Sequence, residues 1–169
     1  RSYSSLKAYA DSIFDRCSRV LIVRVDLYYS SDFNEGGVSG LNVDRFKIDR
    51  DRSRFLNEFR RSTYARACLG YCWKLEYALQ KGWHFHWLFF FDGARVRQDV
   101  TLGELIGETW KAAVGDGSSY WNCNASRDKY ALPGVGMIKH SDMRLRAGLD
   151  RAISYLTKPD YVLALSERT

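Results

Sequence analysis

The stretch Lys81–Gly93, KGWHFHWLFFFDG, decides how this chain folds. It is almost wholly apolar and rich in Phe and Trp, so it reads as a buried β-strand. Side chains alternate along a strand, so His84 and His86 share one face. Unpaired polar groups are costly to bury, so that face has to supply partners for the two imidazoles. The chain has three histidines, and two of them stand here.

The preceding run, Leu69–Leu79 (LGYCWKLEYAL), reads as the partner strand, with Gln80, Lys81 and Gly82 as the turn. That turn pairs Leu79 with Trp83, Ala78 with His84 and Glu76 with His86, which puts Glu76 on the histidine face. A one-residue change of register would carry the glutamate to the opposite face. Two imidazoles and a carboxylate form a divalent-metal ligand set with open positions, so His84, His86 and Glu76 are the candidate ligands. Asp26, on a neighbouring strand, is the reserve for the third place. An H-x-H pair in a strand is by itself commonly structural, so the metal reading leans on the glutamate.

The chain has 169 residues, 46% of them hydrophobic and 15% aromatic, which predicts one globular domain over 1–169 with a real core. It begins with Arg rather than Met, which suggests a domain cut from a longer protein. The net charge of +6 favours a polyanionic partner, though weakly. Cys17, Cys68, Cys72 and Cys123 match no zinc-ribbon or finger spacing and read as reduced thiols. No apolar run reaches transmembrane length and no signal peptide is recognisable, so no membrane association is expected and the cytoplasm is the expected compartment.

Arg19–Tyr29 (RVLIVRVDLYY) reads as a central strand, with Asp26, Tyr28 and Ser30 on one face. A short helix over 2–16 precedes it, and a Gly-rich loop over 31–40 follows it. Helices are predicted over 49–63 and 101–114, the second with a Thr101/Glu104 capping box. Short strands follow at 120–123 and 135–139. A last helix, capped by Ser141 or Asp142, runs to about Thr157, before Pro159. The order β-α-β-β-α-β-β-α predicts an α+β fold, a central antiparallel sheet flanked by helices.

On the last helix Leu145, Leu149, Ala152 and Leu156 form an apolar stripe with Tyr155 beside it. Arg144, Arg151 and Lys158 fall on the same flank. Such cations attract a phosphate and favour a phenolate. A tyrosine at a core border is also an ordinary structural feature, so position alone does not assign it a role.

The H-x-H strand followed by Y-x-x-K on a helix resembles the HUH endonucleases, and the layout is most similar to the replication initiators of filamentous phages (inoviruses). The matching features are Val25-Asp26, WKLEYALQKGWHFHWLFFFDG, the Trp110 helix and SYLTKPDY, within roughly residues 20 to 161. The resemblance implies an HUH endonuclease-like fold and a metal-dependent enzyme that nicks and joins single-stranded DNA to initiate rolling-circle replication. It implies Mg²⁺ or Mn²⁺ on His84, His86 and Glu76. Tyr155 would be the nucleophile forming a 5′-phosphotyrosine and a free 3′-OH. Lys158 would assist the tyrosine or the phosphate, and Arg144 and Arg151 would bind DNA phosphates. It further implies single-stranded DNA or an origin hairpin as substrate, replication proteins such as a helicase and polymerase as partners, and a bacterial host's cytoplasm as location. Some HUH enzymes carry a second tyrosine four residues away; here Arg151 stands at that place, so this is a one-tyrosine pattern. Tyr161, past Pro159, is the nearby competitor.

Within the superfamily, a one-tyrosine transposase or a plasmid relaxase fits the same motifs. From another class, a non-catalytic nucleic-acid-binding module would use Arg45–Arg61 (RFKIDRDRSRFLNEFRR) as a basic face, although Asp49, Asp51 and Glu58 make a solvated helix face the simpler reading. Exposed aromatics among Tyr28, Tyr29, Tyr120 and Trp121 are candidates for stacking on bases.

Overall fold

The computed structural model describes residues 2–30, 45–78, 80–131 and 133–158. In chain order the elements are α1 (Tyr3–Phe14), β1 (Arg19–Tyr28), α2 (Arg45–Arg61), β2 (Cys68–Ala78), β3 (Gly82–Asp92), α3 (Asp99–Val114), β4 (Ser119–Asn122), β5 (Gly136–Lys139) and α4 (Met143–Thr157). Single 3₁₀ turns stand at Tyr64–Ala67 and Arg127–Lys129. The fold is α+β: one five-stranded sheet with order β2-β3-β1-β4 and every pairing antiparallel, flanked by helices. β1 is central; β3 lies on one side of it, while β5 pairs with its first half and β4 with its second.

Strand alternation sorts the core into two layers. Leu21, Val23, Val25 and Leu27 of β1, with Trp83, Phe85, Trp87, Phe89 and Phe91 of β3, pack against Phe55 and Phe59 of α2 and Leu102, Ile106 and Trp110 of α3. Val20, Ile22, Leu88 and Phe90 face the other way, under Leu6, Ile13 and Phe14 of α1 and Leu149, Ile153 and Leu156 of α4. The second face therefore also receives Arg24, Asp26, Tyr28, His84 and His86, which continue the same alternation. No described helix is long and apolar enough to cross a membrane.

Several boundaries differ from the sequence reading. α2 begins at Arg45 rather than near residue 49, with Phe46 86% exposed off the buried stripe. α3 begins at Asp99, and Thr101 lies inside it rather than capping it. The buried Asp99 carboxylate accepts from Asn124 Nδ2 at 2.8 Å and from Arg127, so tertiary partners fix that helix start in place of a local box. Asp142 does cap α4, accepting from the Leu145 N–H at 3.1 Å. On α4, Ile153 is fully buried and Ala152 only half-buried, so the inward stripe is rotated slightly from the one read in sequence.

The β2–β3 register also differs. Glu76 pairs with His84 and Lys74 with His86, two residues from the expected pairing. Gly82 adopts φ 63° and opens β3 instead of closing the turn. A shift of two preserves the face of every side chain, so Glu76 stays with the histidines. Leu79, the expected partner of Trp83, lies outside the described residues, as do the whole of the 31–40 loop and Tyr161.

Candidate metal centre and tyrosine site

Two rows of side chains cross the α1/α4 face of the sheet. One runs Glu76–His84–Tyr28–Ser119 and the next Lys74–His86–Asp26–Trp121, each from β2 through β3 and β1 to β4. In an antiparallel sheet, paired residues project to the same side, so the ladder itself assembles this cluster.

Glu76, His84 and His86 each turn one ligand atom inward, and these atoms lie within 4.8 Å of one another. The two rings meet edge to face with centroids 4.8 Å apart. The Nδ1–H of His84 donates to the Gly82 carbonyl at 2.9 Å, which leaves Nε2 as the bare nitrogen, 3.8 Å from Glu76 Oε2. Burial lowers the pKa of His84, more than the Gly82 bond restores, so it is held neutral, the form that ligates metal.

His86 stands between two carboxylates. Its Nε2 lies 2.7 Å from Glu76 Oε2, and its Nδ1 lies 2.7 Å from Asp26 Oδ1. The second contact is close but poorly aligned for a hydrogen bond. Asp26 is buried; burial alone would raise its pKa, but His86 and Arg24 together hold it below the usual carboxylate range. Glu76 is likewise held low against burial, by the His86 bond and by Lys74, whose Nζ is 3.5 Å from Oε1. To serve as a ligand Nε2 must be without a proton, which leaves the ring proton on Nδ1, towards Asp26. Asp26 therefore orients a ligand, and it is Glu76 that completes the ligand set. Two imidazole nitrogens and an ionised carboxylate, the histidines backed by a carbonyl and a carboxylate, fit a divalent cation.

Tyr155 reaches this cluster from α4. Its hydroxyl donates to Glu76 Oε2 at 3.1 Å, and its ring sits edge-on to His86 with centroids 5.3 Å apart. Burial, then the Glu76 charge and hydrogen bond, push its pKa up to about 12. Arg24 lies 5.4 Å and Lys74 Nζ 5.5 Å from the ring centroid.

The cations singled out in sequence are distributed differently. Arg151 lines a cavity together with Tyr155 and Arg24. Lys158 is exposed at the helix end, where its N–H bonds the Tyr155 carbonyl at 3.3 Å. Arg144 is exposed on the first turn, about 16 Å along the axis from Tyr155 at 1.5 Å per residue. Residues seven apart share a flank as a column along the helix, and here they do not ring the hydroxyl.

Arg24 and Lys74 are the cations that the sequence reading missed. Their signal was present: Arg24 lies two residues before Asp26, and Lys74 two before Glu76, so strand period alone puts them on the same face. Among the aromatics, Tyr28 stacks on His84 with centroids 5.4 Å apart, and Trp121 is 41% exposed with Lys129 Nζ 4.6 Å over its ring. Tyr29 is buried in the other layer and is unavailable to a base.

No curated protein and no solved structure matches the chain. A family model does, over residues 1–168: the YagK/YfjJ C-terminal domain. With nearly the whole length matched, the chain belongs to the YagK/YfjJ C-terminal domain family.

Proposed function

We infer that this domain is a metal-dependent endonuclease and strand transferase of the HUH type, acting on single-stranded DNA through Tyr155. The observation that carries this reading is the 3.1 Å hydrogen bond from the Tyr155 hydroxyl to Glu76, a member of the His84/His86/Glu76 set. A nucleophile candidate from the last helix and a metal-ligand set from the sheet are thus in direct contact.

His84 Nε2, His86 Nε2 and Glu76 would hold Mg²⁺ or Mn²⁺, which when bound supplies Lewis-acid polarisation of the phosphate oxygens. Imidazole ligands favour Mn²⁺ over Mg²⁺, which prefers all-oxygen surroundings. Tyr155 Oη attacks the scissile phosphorus; the O–P bond to tyrosine forms as the P–O3′ bond breaks. The phenolic proton passes to solvent as the O–P bond forms, so Glu76 stays ionised, and the departing 3′-oxygen takes a proton from solvent, leaving a 3′-OH. The reverse reaction, with an incoming 3′-OH as nucleophile, rejoins the strand. Arg24 and Lys74, beside the ring, offset the charge on phenolate and phosphate. The inovirus-like layout favours initiation of rolling-circle replication at an origin strand or hairpin over the transposase and relaxase readings that share the one-tyrosine pattern.

The test is incubation with single-stranded DNA and Mn²⁺ followed by denaturing electrophoresis and mass-spectrometric mapping. A covalent adduct on Tyr155 is expected. DNA binding without any adduct or cleavage would favour a non-catalytic nucleic-acid module instead.

A further inference from the structure

Beside the metal-ligand set lies a cavity of about 310 Å³, between α4 and the chain that follows β4. Tyr155 belongs to both: its hydroxyl faces Glu76 while its ring forms part of the cavity wall. Tyr130, Cys123 and Ala152 supply further wall, and Arg24 and Arg151 also line it. The floor is backbone, where Pro133 and Gly134 run against Gly148 of α4. A Cβ on Gly148 would come within 2.9 Å of the Pro133 carbonyl, so this close approach needs glycine there.

The lining combines flat apolar walls, an aromatic ring 40% exposed at Tyr130, and two cations. That mixture suits a planar apolar group attached to an anionic chain. We propose that the cavity takes the base of a nucleotide adjoining the scissile phosphate, and so selects where Tyr155 cuts. This rests on the nuclease reading above. A phosphate within reach of Tyr155 Oη carries its neighbouring sugar and base towards the wall that Tyr155 itself forms. Arg24, whose Nε leans on Asp26 at 3.4 Å, and Arg151, both in the cavity lining, then supply cations for the phosphates that adjoin that base.

The test begins with a random-sequence single-stranded DNA pool and Mn²⁺, with the ends of cleaved strands sequenced. One position next to the break should show a strong base preference. An oligonucleotide of the preferred sequence is then made intact, with an abasic residue at each adjoining position, and with one three nucleotides away. In the wild type, one adjoining abasic site should lower cleavage efficiency by about 10-fold or more, and the distant one should not. Ala152→Leu, which fills the cavity, and Tyr130→Ala, which opens it, should each shrink that abasic penalty, because the base has already lost its seat. A wild type indifferent to both adjoining abasic sites, or a penalty unchanged in both variants, would overturn the cavity assignment and leave the nuclease reading standing. Absence of any cleaved strand or adduct would overturn both.

Discussion

The Tyr155 hydroxyl donates to Glu76 Oε2, joining α4 to β2 across 79 positions of sequence. This single contact makes the tyrosine and the metal-ligand set one site, and it separates their roles. Tyr155→Phe should eliminate the covalent adduct and strand cleavage. Mn²⁺ binding, measured by calorimetry, should persist. The lost hydrogen bond is half-exposed, so stability should fall by no more than about 1 kcal/mol in a denaturant melt. An adduct that survives this substitution would remove Tyr155 from the nucleophile's role.

The ligand set itself predicts a graded loss. His84→Ala or Glu76→Ala should abolish Mn²⁺ binding and cleavage while largely preserving affinity for single-stranded DNA, which phosphate contacts dominate. Asp26→Asn keeps the shape but weakens the partner of His86 Nδ1, so Mn²⁺ affinity should drop by roughly 10- to 100-fold, a smaller effect than removing a ligand. Wild-type Mn²⁺ affinity in Asp26→Asn would show that Asp26 does not support His86.

Among the cations, Arg24 and Lys74 should outrank Arg144. Arg24→Ala and Lys74→Ala should each slow cleavage by roughly 10²-fold, the scale of one lost charge-stabilising donor at a reaction centre. Arg144→Ala, at the far end of α4, should leave the single-turnover rate close to that of the wild type. Lys158→Ala measured alongside them ranks the helix-end amine against the two that sit by the ring.

The histidine face should also depend on the opposite layer. Trp110 is fully buried and its Nε1–H donates to the Tyr28 carbonyl at 3.0 Å, at the strand position whose side chain stacks on His84. Trp110→Ala should cost about 3–5 kcal/mol by urea denaturation. Trp110→Phe keeps much of the volume and should cost considerably less.

Burial pushes the Cys68 and Cys123 thiols up to about 11. A raised thiol pKa means that the reactive thiolate is a minority below that pH, roughly one part in 10³ at pH 8. Iodoacetamide at pH 8 should therefore modify the half-buried Cys17 ahead of both, and labelling of Cys68 and Cys123 should rise as pH approaches 11. Rapid labelling of Cys123 at pH 8 in the native protein would contradict its enclosure.

Strand parity was the legible part of this site. The alternation in β1 and β3 is enough to place His84, His86, Asp26 and Arg24 on one face, and Glu76 follows whenever the hairpin shift is even. The register was not legible, because it depends on whether Gly82 spends its positive φ inside the turn or at the strand's first residue. Helix starts fixed by distant partners, as at Asp99, leave no local signature either. Among the α4 cations Arg144 misled because a helical wheel collapses the axis: Arg144 and Tyr155 look adjacent in projection yet stand three turns apart.

The order β2-β3-β1-β4 has a consequence for the timing of activity. Chains emerge from the ribosome N-terminus first. The carboxylate of Asp26 appears early, the histidine hairpin near the middle, and the tyrosine's helix last among the described elements. Until α4 has been made and has docked, a growing chain has Glu76, His84 and His86 but lacks Tyr155 beside them. On the nuclease reading proposed above, a nascent or C-terminally truncated chain that stops short of Tyr155 would be unable to cut, and it would also lack Leu149, Ile153 and Leu156 over the same sheet face.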